Sequence, residues 1–197
     1  YGVEAADLIS GVVCFDLQER RKVKFSREEC RYGYRDSLFK QPEVKGRYVV
    51  TSVLLRLTRR HSPRLDYKGV RDALQGAEPQ TPQQVRDAIV RIRRQKLPDP
   101  EEIGSAGSFF KNPVVSREQF ARISPDGTAP HYDLLDGTVK VPAAWLIDRC
   151  GFKGAAEGGA AVYERQPLVI VNASGTASPQ EVLALEQRII NGVQERF

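Results

Sequence analysis

A chain of 197 residues can form one large domain or two small ones, and 41% apolar with 28% charged residues excludes extended disorder. No run reaches the apolar length that crosses a bilayer, and no signal-peptide pattern is present. The net charge of +5, concentrated in Arg59-Arg60-His61 and Arg91 to Lys96, suits an anionic partner, but no zinc-finger, RRM, KH or helix-turn-helix signature accompanies it.

In chain order, residues 7–25 predict two short strands. Leu8–Leu17 is apolar-rich, Gln18–Arg21 supplies a polar turn, and Val23 and Phe25 alternate with Lys22 and Lys24. Ser26 and Glu29 have capping-box spacing, which starts one helical turn. Tyr32–Ser37 is dense in donors and aromatics, and Tyr48–Leu57 is a strand by its β-branched content. Arg59–Gly76 reads as a basic, turn-rich connection containing Tyr67 and Gly69. A helix begins at Thr81, where Thr81 caps, Pro82 takes the first helical position and Gln84 completes a capping box. Its apolar stripe is Val85, Ala88, Ile89 and Ile92. Leu97-Pro98-Asp99-Pro100 stops it, which puts the boundary between two lobes here, at 1–97 and 98–197.

Ile103–Pro113 (IGSAGSFFKNP) reads in two ways. It is a turn feeding a strand with Phe109 and Phe110 in the core, or a ligand loop whose glycines admit close approach beside Ser108, Lys111 and Asn112. Ser116 with Gln119 starts a short helix around Phe120. Residues 124–138 form an irregular loop with turns at Asp126-Gly127 and Asp136-Gly137. Pro142–Cys150 is a helix holding Trp145 and Ile147 and ended by Gly151. Gly154–Gly159 is a small-residue loop without either glycine-rich phosphate motif. Leu168–Asn172 is a buried strand. Ser178-Pro179-Gln180-Glu181 caps a last helix with the stripe Val182, Leu185, Ile189 and Val193. The fold class expected is α+β, a β-rich first lobe followed by an α/β second lobe.

Cys14, Cys30 and Cys150 are odd in number, widely spaced and without ligand spacing, so they read as reduced thiols of a cytosolic protein. With only His61 and His131 to help, no metal site is expected, and both histidines are expected in solvent. Arg35 beside Asp36 can be a surface ion pair, Asp99 a turn residue, and Trp145 a core residue. A serine hydrolase built on Ser108 would lack the G-x-S-x-G elbow. The chain opens at Tyr1 and has no methionine, which suggests a piece of a longer protein.

Three blocks stand in order: GYRDSLFK (33–40), KLPDP (96–100) and SAGSFFKNP (105–113). With Tyr1-Gly2-Val3-Glu4 and AWLID (144–148), they closely resemble the UDP-N-acetylenolpyruvoylglucosamine reductases, the MurB flavoenzyme family of peptidoglycan synthesis, along essentially the whole chain. Tyr67 looks like the mobile tyrosine of the family's type I branch. The resemblance implies that hydride passes from NADPH through FAD to C3 of the substrate's enolpyruvyl group, with a proton then added at C2 to give UDP-N-acetylmuramate. In that scheme Ser108 matches the proton donor and Arg35 the arginine that holds the substrate carboxylate. Tyr67, Lys96 and Asn112 match residues that hold the UDP and sugar portions, and Arg93 matches an arginine near the flavin. Residues 1–97 would be the second part of the FAD-binding domain and 98–197 the substrate-binding domain. The implied protein is a cytoplasmic monomer with UDP-N-acetylglucosamine enolpyruvate as partner, and with no nucleic acid, membrane or metal. Nothing in the chain matches the family's amino-terminal FAD-binding half or its catalytic glutamate segment. The piece is therefore expected to be inactive alone and to bind flavin weakly or not at all. The alternative is a non-catalytic nucleotide-sugar or nucleic-acid binding module.

Overall fold

The computed structural model describes residues 3–60, 62–67, 69–78 and 81–197. The chain divides into two compact units, Tyr1–Ile92 and Arg93–Phe197.

In the first unit a single helical turn, α1 (Ala5–Leu8), leads into β1 (Ile9–Asp16), followed by β2 (Arg21–Ser26) and β3 (Tyr48–Leu55). They form an antiparallel sheet in the order β2-β1-β3, with Val12 opposite Phe25 and Cys14 opposite Val23. Burial is strongest on the central strand, at Val12 and Cys14, and Cys30 joins them from the turn after β2. Phe25, Phe39 and Tyr48 close this cluster edge-to-face, with centroids 5.1–6.3 Å apart. The expected capping box is formed: Ser26 N–H donates to Glu29 Oε2 (2.7 Å) and Glu29 N–H to Ser26 Oγ (3.2 Å). β3 ends at Leu55, two residues before the sequence suggests, and lies at the sheet edge with Val49, Val50, Val53 and Leu55 exposed. The described residues of 59–76 include a helical turn besides bends. Gly69, at φ +88°, opens α2 (Val70–Ala73), and Val70 packs with Leu65 and Ile92. Thr81 and Gln84 bond reciprocally (3.1 and 3.3 Å) to start α3 (Pro82–Lys96), which buries Ala88 and Ile92.

Asp16 is 1% exposed at the end of β1. Its carboxylate accepts from Arg47 Nη2 (2.7 Å) and Nε (3.0 Å) and from the backbone N–H groups of Gln18 and Glu19. The Arg47 guanidinium, followed by those N–H groups, brings its pKa down to about 2 against the opposing effect of burial. A lowered carboxyl pKa contributes stability that is complete above the unfolded value of about 3.9 and disappears as pH falls through the folded one. The first unit should therefore lose stability between about pH 4 and pH 2. The Asp16 carboxyl carbon, followed by NMR, should titrate near 2, and at higher pH in an Arg47→Met chain; equal midpoints in the two chains would refute this.

In the second unit the elements are β4 (Ser105–Ser108), β5 (Val114–Val115), α4 (Arg117–Ile123), β6 (Tyr132–Asp133) and β7 (Val139–Lys140). Then come α5 (Ala143–Arg149), β8 (Ala156–Glu157), β9 (Ala160–Val162), β10 (Val169–Asn172) and α6 (Pro179–Arg196). The strands make two antiparallel sheets, β4-β10-β9-β8 and β5-β7-β6. One core joins Ile147 of α5 to Ala160, Val162 and Ile170 of the larger sheet and to Leu185 and Ile189 of α6. A second joins Val139, Val141 and Leu146, with Phe120 and Trp145 against it. The caps predicted for α4 and α6 are both present, Ser116 with Gln119 and Ser178 with Glu181. Residues 154–159, expected as a loop, contain β8 and the turn of a β8–β9 hairpin. Gly158 turns the chain at φ +55°, and the Gly159 N–H is held by Glu181 Oε1 at 3.0 Å. A Cβ at Gly159 would lie 2.3 Å from Ser174 Oγ and 3.0 Å from Ala177 Cα, so glycine is required there by space. Between the two turns of the 124–138 loop, β6 pairs with β7. Among the described residues no helix is long and apolar enough to cross a membrane.

Candidate functional site

Ser108 owes its direction to one extra residue. Along β4, Ser105 lies opposite Val171 of β10, but Gly107 lies opposite Ile170 and Ser108 opposite Val169, so Ala106 is unmatched and the ladder bulges. The bulge is fixed on both sides, by Asn172 N–H to Gly104 O and by Phe109 N–H to Leu168 O, each 2.8 Å. Partners across an antiparallel ladder share a face, and Leu168 and Ile170 face the helix-packed core. In regular pairing Ser108 would meet Leu168 and point into that core. With the extra residue it meets Val169, takes the opposite face and stays exposed, while Phe109 packs on the core in its place. Gly107 makes this possible at φ +70°; a Cβ there would touch nothing within 4 Å, so conformation alone calls for glycine. The core reading holds for Phe109 and Phe110, which pack on the core, while Ser108 is exposed on the edge strand β4.

Asn112 continues from this strand and does structural work. Its Oδ1 accepts the Ala143 N–H at 2.9 Å, satisfying the first turn of α5, which begins after Pro142 and has no cap from its own side chains. Asn112→Ala should cost about 1 kcal/mol, the usual value of a lost cap, whereas Asn112→Asp keeps the acceptor. Urea unfolding of the two variants checks this; equal losses would show that the bond to Ala143 contributes nothing.

Arg35 sits in a two-residue turn closed by mutual bonds between Gly33 and Asp36 (3.0 and 3.2 Å). It is held at φ +54°, a left-handed conformation that costs a non-glycine residue about 1–2 kcal/mol. Lys40 Nζ donates to the Arg35 carbonyl at 2.7 Å, and the Asp36 carboxylate is bonded to the Ser37 N–H and to Gln41 rather than to Arg35. The Arg35 side chain is exposed. Tyr67 is 43% exposed, and its carbonyl accepts the Val70 N–H at the start of α2. Arg93 and Lys96 stand exposed in the last turn of α3, where cations also complement the helix dipole. The structure therefore sets Ser108 and Asn112 on one segment and Arg93 and Lys96 on one helical turn, all four in the second unit, with Arg35 and Tyr67 in the first.

Of the remaining candidates, His131 is exposed, with Nδ1 2.9 Å from the Ala129 carbonyl and its ring 4.5 Å from that of Phe120. His61 lies outside the described residues, as do Tyr1 and Gly2 of the opening motif. Asp99 is the turn residue expected, its Oδ1 accepting the Glu101 N–H. Trp145 packs against the second core and lies 5.5 Å from the Phe197 ring. Cys14 and Cys30 are buried, and burial pushes both thiols up, away from reactivity. In the first unit a groove of about 500 Å³ between α2 and α3 carries Glu78, Asp87 and Arg91. Two carboxylates make it a poor seat for a dinucleotide's pyrophosphate. Sequence reading did not single out Ser105, whose Oγ accepts the Gly107 N–H at 2.9 Å inside the bulge.

Residues 99–197 match the family model "UDP-N-acetylenolpyruvoylglucosamine reductase, C-terminal domain". Over its full length the chain is 47% identical to the UDP-N-acetylenolpyruvoylglucosamine reductase of Burkholderia multivorans, covering 57% of that protein. It is 46% identical to that of Chromobacterium violaceum and 47% to that of Neisseria meningitidis serogroup A, covering 58% of each. The chain thus spans somewhat more than half the length of these relatives. It also resembles the crystal structure of UDP-N-acetylenolpyruvylglucosamine reductase (MurB) from Thermus caldophilus, with a TM-score of 0.57 and 25% identity over 98% of this chain and 50% of that one.

Proposed function

Because the chain belongs to the UDP-N-acetylenolpyruvoylglucosamine reductase (MurB) family, we propose that it carries the proton-donating and substrate-holding part of a peptidoglycan-precursor reductase. The reaction is the NADPH-dependent reduction of UDP-N-acetylglucosamine enolpyruvate to UDP-N-acetylmuramate. The observation that carries the reading is the bulge that turns the Ser108 hydroxyl away from the helix-packed core and leaves it exposed on the edge strand β4.

FAD, when bound, supplies hydride equivalents taken from NADPH; Arg93 is the residue of this chain that would contact it. Hydride arriving at C3 of the enolpyruvyl group leaves an electron pair shared between C2 and the adjoining carboxylate. The Arg35 guanidinium can pair with that carboxylate through two parallel bonds and stabilise the growing charge, because its fork matches the two oxygens. The Ser108 O–H then gives its proton to C2, completing the addition of two electrons and two protons' worth of hydrogen across the double bond. Lys96, Asn112 and Tyr67 hold the diphosphate and sugar, Lys96 as a point charge and Tyr67 as a hydrogen-bonding aromatic. In this reading residues 1–97 belong to the FAD-binding domain and 98–197 to the substrate domain. The protein works as a monomer in the cytoplasm, and the 197-residue chain does not turn over by itself.

The test is an amide-resolved NMR titration of the chain with the UDP-linked enolpyruvyl substrate. Shifts should gather at Arg35, Tyr67, Lys96, Ser108 and Asn112 and change little with salt. Shifts confined to the arginines of α3 and of 56–60, weakening steeply with salt as counterions are no longer released, would favour a polyanion-binding module instead.

A further inference from the structure

We propose that Ser105 is a positioning residue for Ser108, a role that rests on the reading of Ser108 as the proton donor. The ladder with β10 pairs Ser105, Gly107 and Ser108 with Val171, Ile170 and Val169 and leaves Ala106 unmatched, but pairing by itself does not hold the backbone around that unmatched residue. An extra residue in a strand can be taken up at more than one place, each placing the following side chain differently. The Ser105 hydroxyl resolves this choice. Its Oγ accepts the Gly107 N–H at 2.9 Å, which ties the residue before the bulge to the residue after it and holds Gly107 at φ +70°. Ser108 is bonded directly to Gly107, so the same bond sets the direction in which its side chain leaves the sheet.

The geometry also says why serine is suited to position 105. The side chain shares its face with Ser108, since Val171 and Val169 are their respective partners and alternate residues of β10 point the same way, and both serines are exposed on the edge strand. An acceptor on a short stem is needed to reach the N–H two residues on; alanine has no acceptor, and valine has the bulk of threonine without one. Loss of the bond leaves the sheet pairing and the Phe109 anchor in place, so the effect is one of order at residues 106–108 rather than of folding.

The test compares Ser105→Ala, Ser105→Thr and Ser105→Val in the full chain. Alanine and valine should speed amide exchange at Gly107 by about two- to tenfold, the range of a net hydrogen bond, and should introduce microsecond-to-millisecond exchange broadening at 106–108; threonine should restore both. In the flavin-loaded reductase, with the part of the family's length that this chain does not span supplied, alanine and valine should lower kcat about tenfold with KM unchanged, and threonine should recover it. Reduction of the flavin by NADPH should stay at the parent rate in all three, which a general structural defect would not allow. Parent-like Gly107 exchange in Ser105→Ala, or threonine behaving as valine does, overturns the proposal. Full turnover in Ser105→Ala beside an inactive Ser108→Ala would sink this proposal alone, whereas full turnover in Ser108→Ala would sink the proton-donor reading itself.

Discussion

Ser108→Ala in the flavin-loaded reductase should lower turnover by about 10²–10⁴-fold, the range that a positioned general acid contributes. The loss should fall on one half of the reaction. In the proposed reaction flavin reduction by NADPH takes no proton from Ser108 and should proceed as before, while reoxidation by the enolpyruvyl substrate should become slow; stopped-flow absorbance separates the two. Substrate affinity should change little, because Arg35, Lys96 and Asn112 are untouched. A serine hydroxyl is a weak acid in water, so proton transfer becomes feasible only where negative charge at the substrate carbon is developed and waiting. In the proposed reaction the Arg35 fork would hold the carboxylate and moderate that charge without quenching it. Ser108→Cys keeps a proton on a more acidic atom and should retain more activity than alanine. Equal loss in both half-reactions, or none in either, would remove Ser108 from the acid role.

The sequence announces those features whose partners are near in the chain. The capping boxes at Thr81/Gln84, Ser116/Gln119 and Ser178/Glu181 were legible because each closes over three residues, and all three are present. The two strands before Ser26 were legible from alternation and a polar turn. What was not legible depends on distant partners. The β8–β9 hairpin is too short for a period to show, and its turn is held by Glu181, 22 residues away. Asn112 caps α5 across 31 residues, and Asp16 meets Arg47 across the same separation. Composition marks Tyr48–Leu55 as a strand, yet β-branched residues do not say whether a strand is covered, and β3 is largely exposed. For the candidate site, the sequence names candidates but not where they point. Gly107 signals an unusual turn, but whether Ser108 faces the core or solvent is decided by a register that only β10 supplies.

The largest effect on stability is expected at Leu185, which is fully buried among Ile147, Val162, Ile170 and Ile189, where α6 lies on the larger sheet. Leu185→Ala removes three carbons from a site with few ways to collapse. The wall opposite is a strand of Val and Ile held by its ladder, and the space beside Gly192, two turns further along the same helix face, is already filled by the Phe152 ring, 2.6 Å from where a Cβ would be. The expected cost is about 2–5 kcal/mol, the lost transfer free energy plus that of the cavity left behind. Leu183, two residues earlier and 57% exposed, provides the control: Leu183→Ala should stay within about 0.5 kcal/mol. The single tryptophan makes the measurement selective, since Trp145 packs in the second unit against Phe197 and its emission follows that unit. With a urea dependence of about 1–3 kcal/mol per molar, Leu185→Ala should bring the midpoint down by about 1 M or more. An unchanged midpoint would mean that α6 leaves before the cooperative core does. Below its own transition the variant should still show the substrate-induced shift at Ser108, because β10 keeps its pairing with β4 and with it the bulge. Loss of that shift in a folded Leu185→Ala chain would show instead that the direction of Ser108 depends on the core behind it as well as on the ladder beside it.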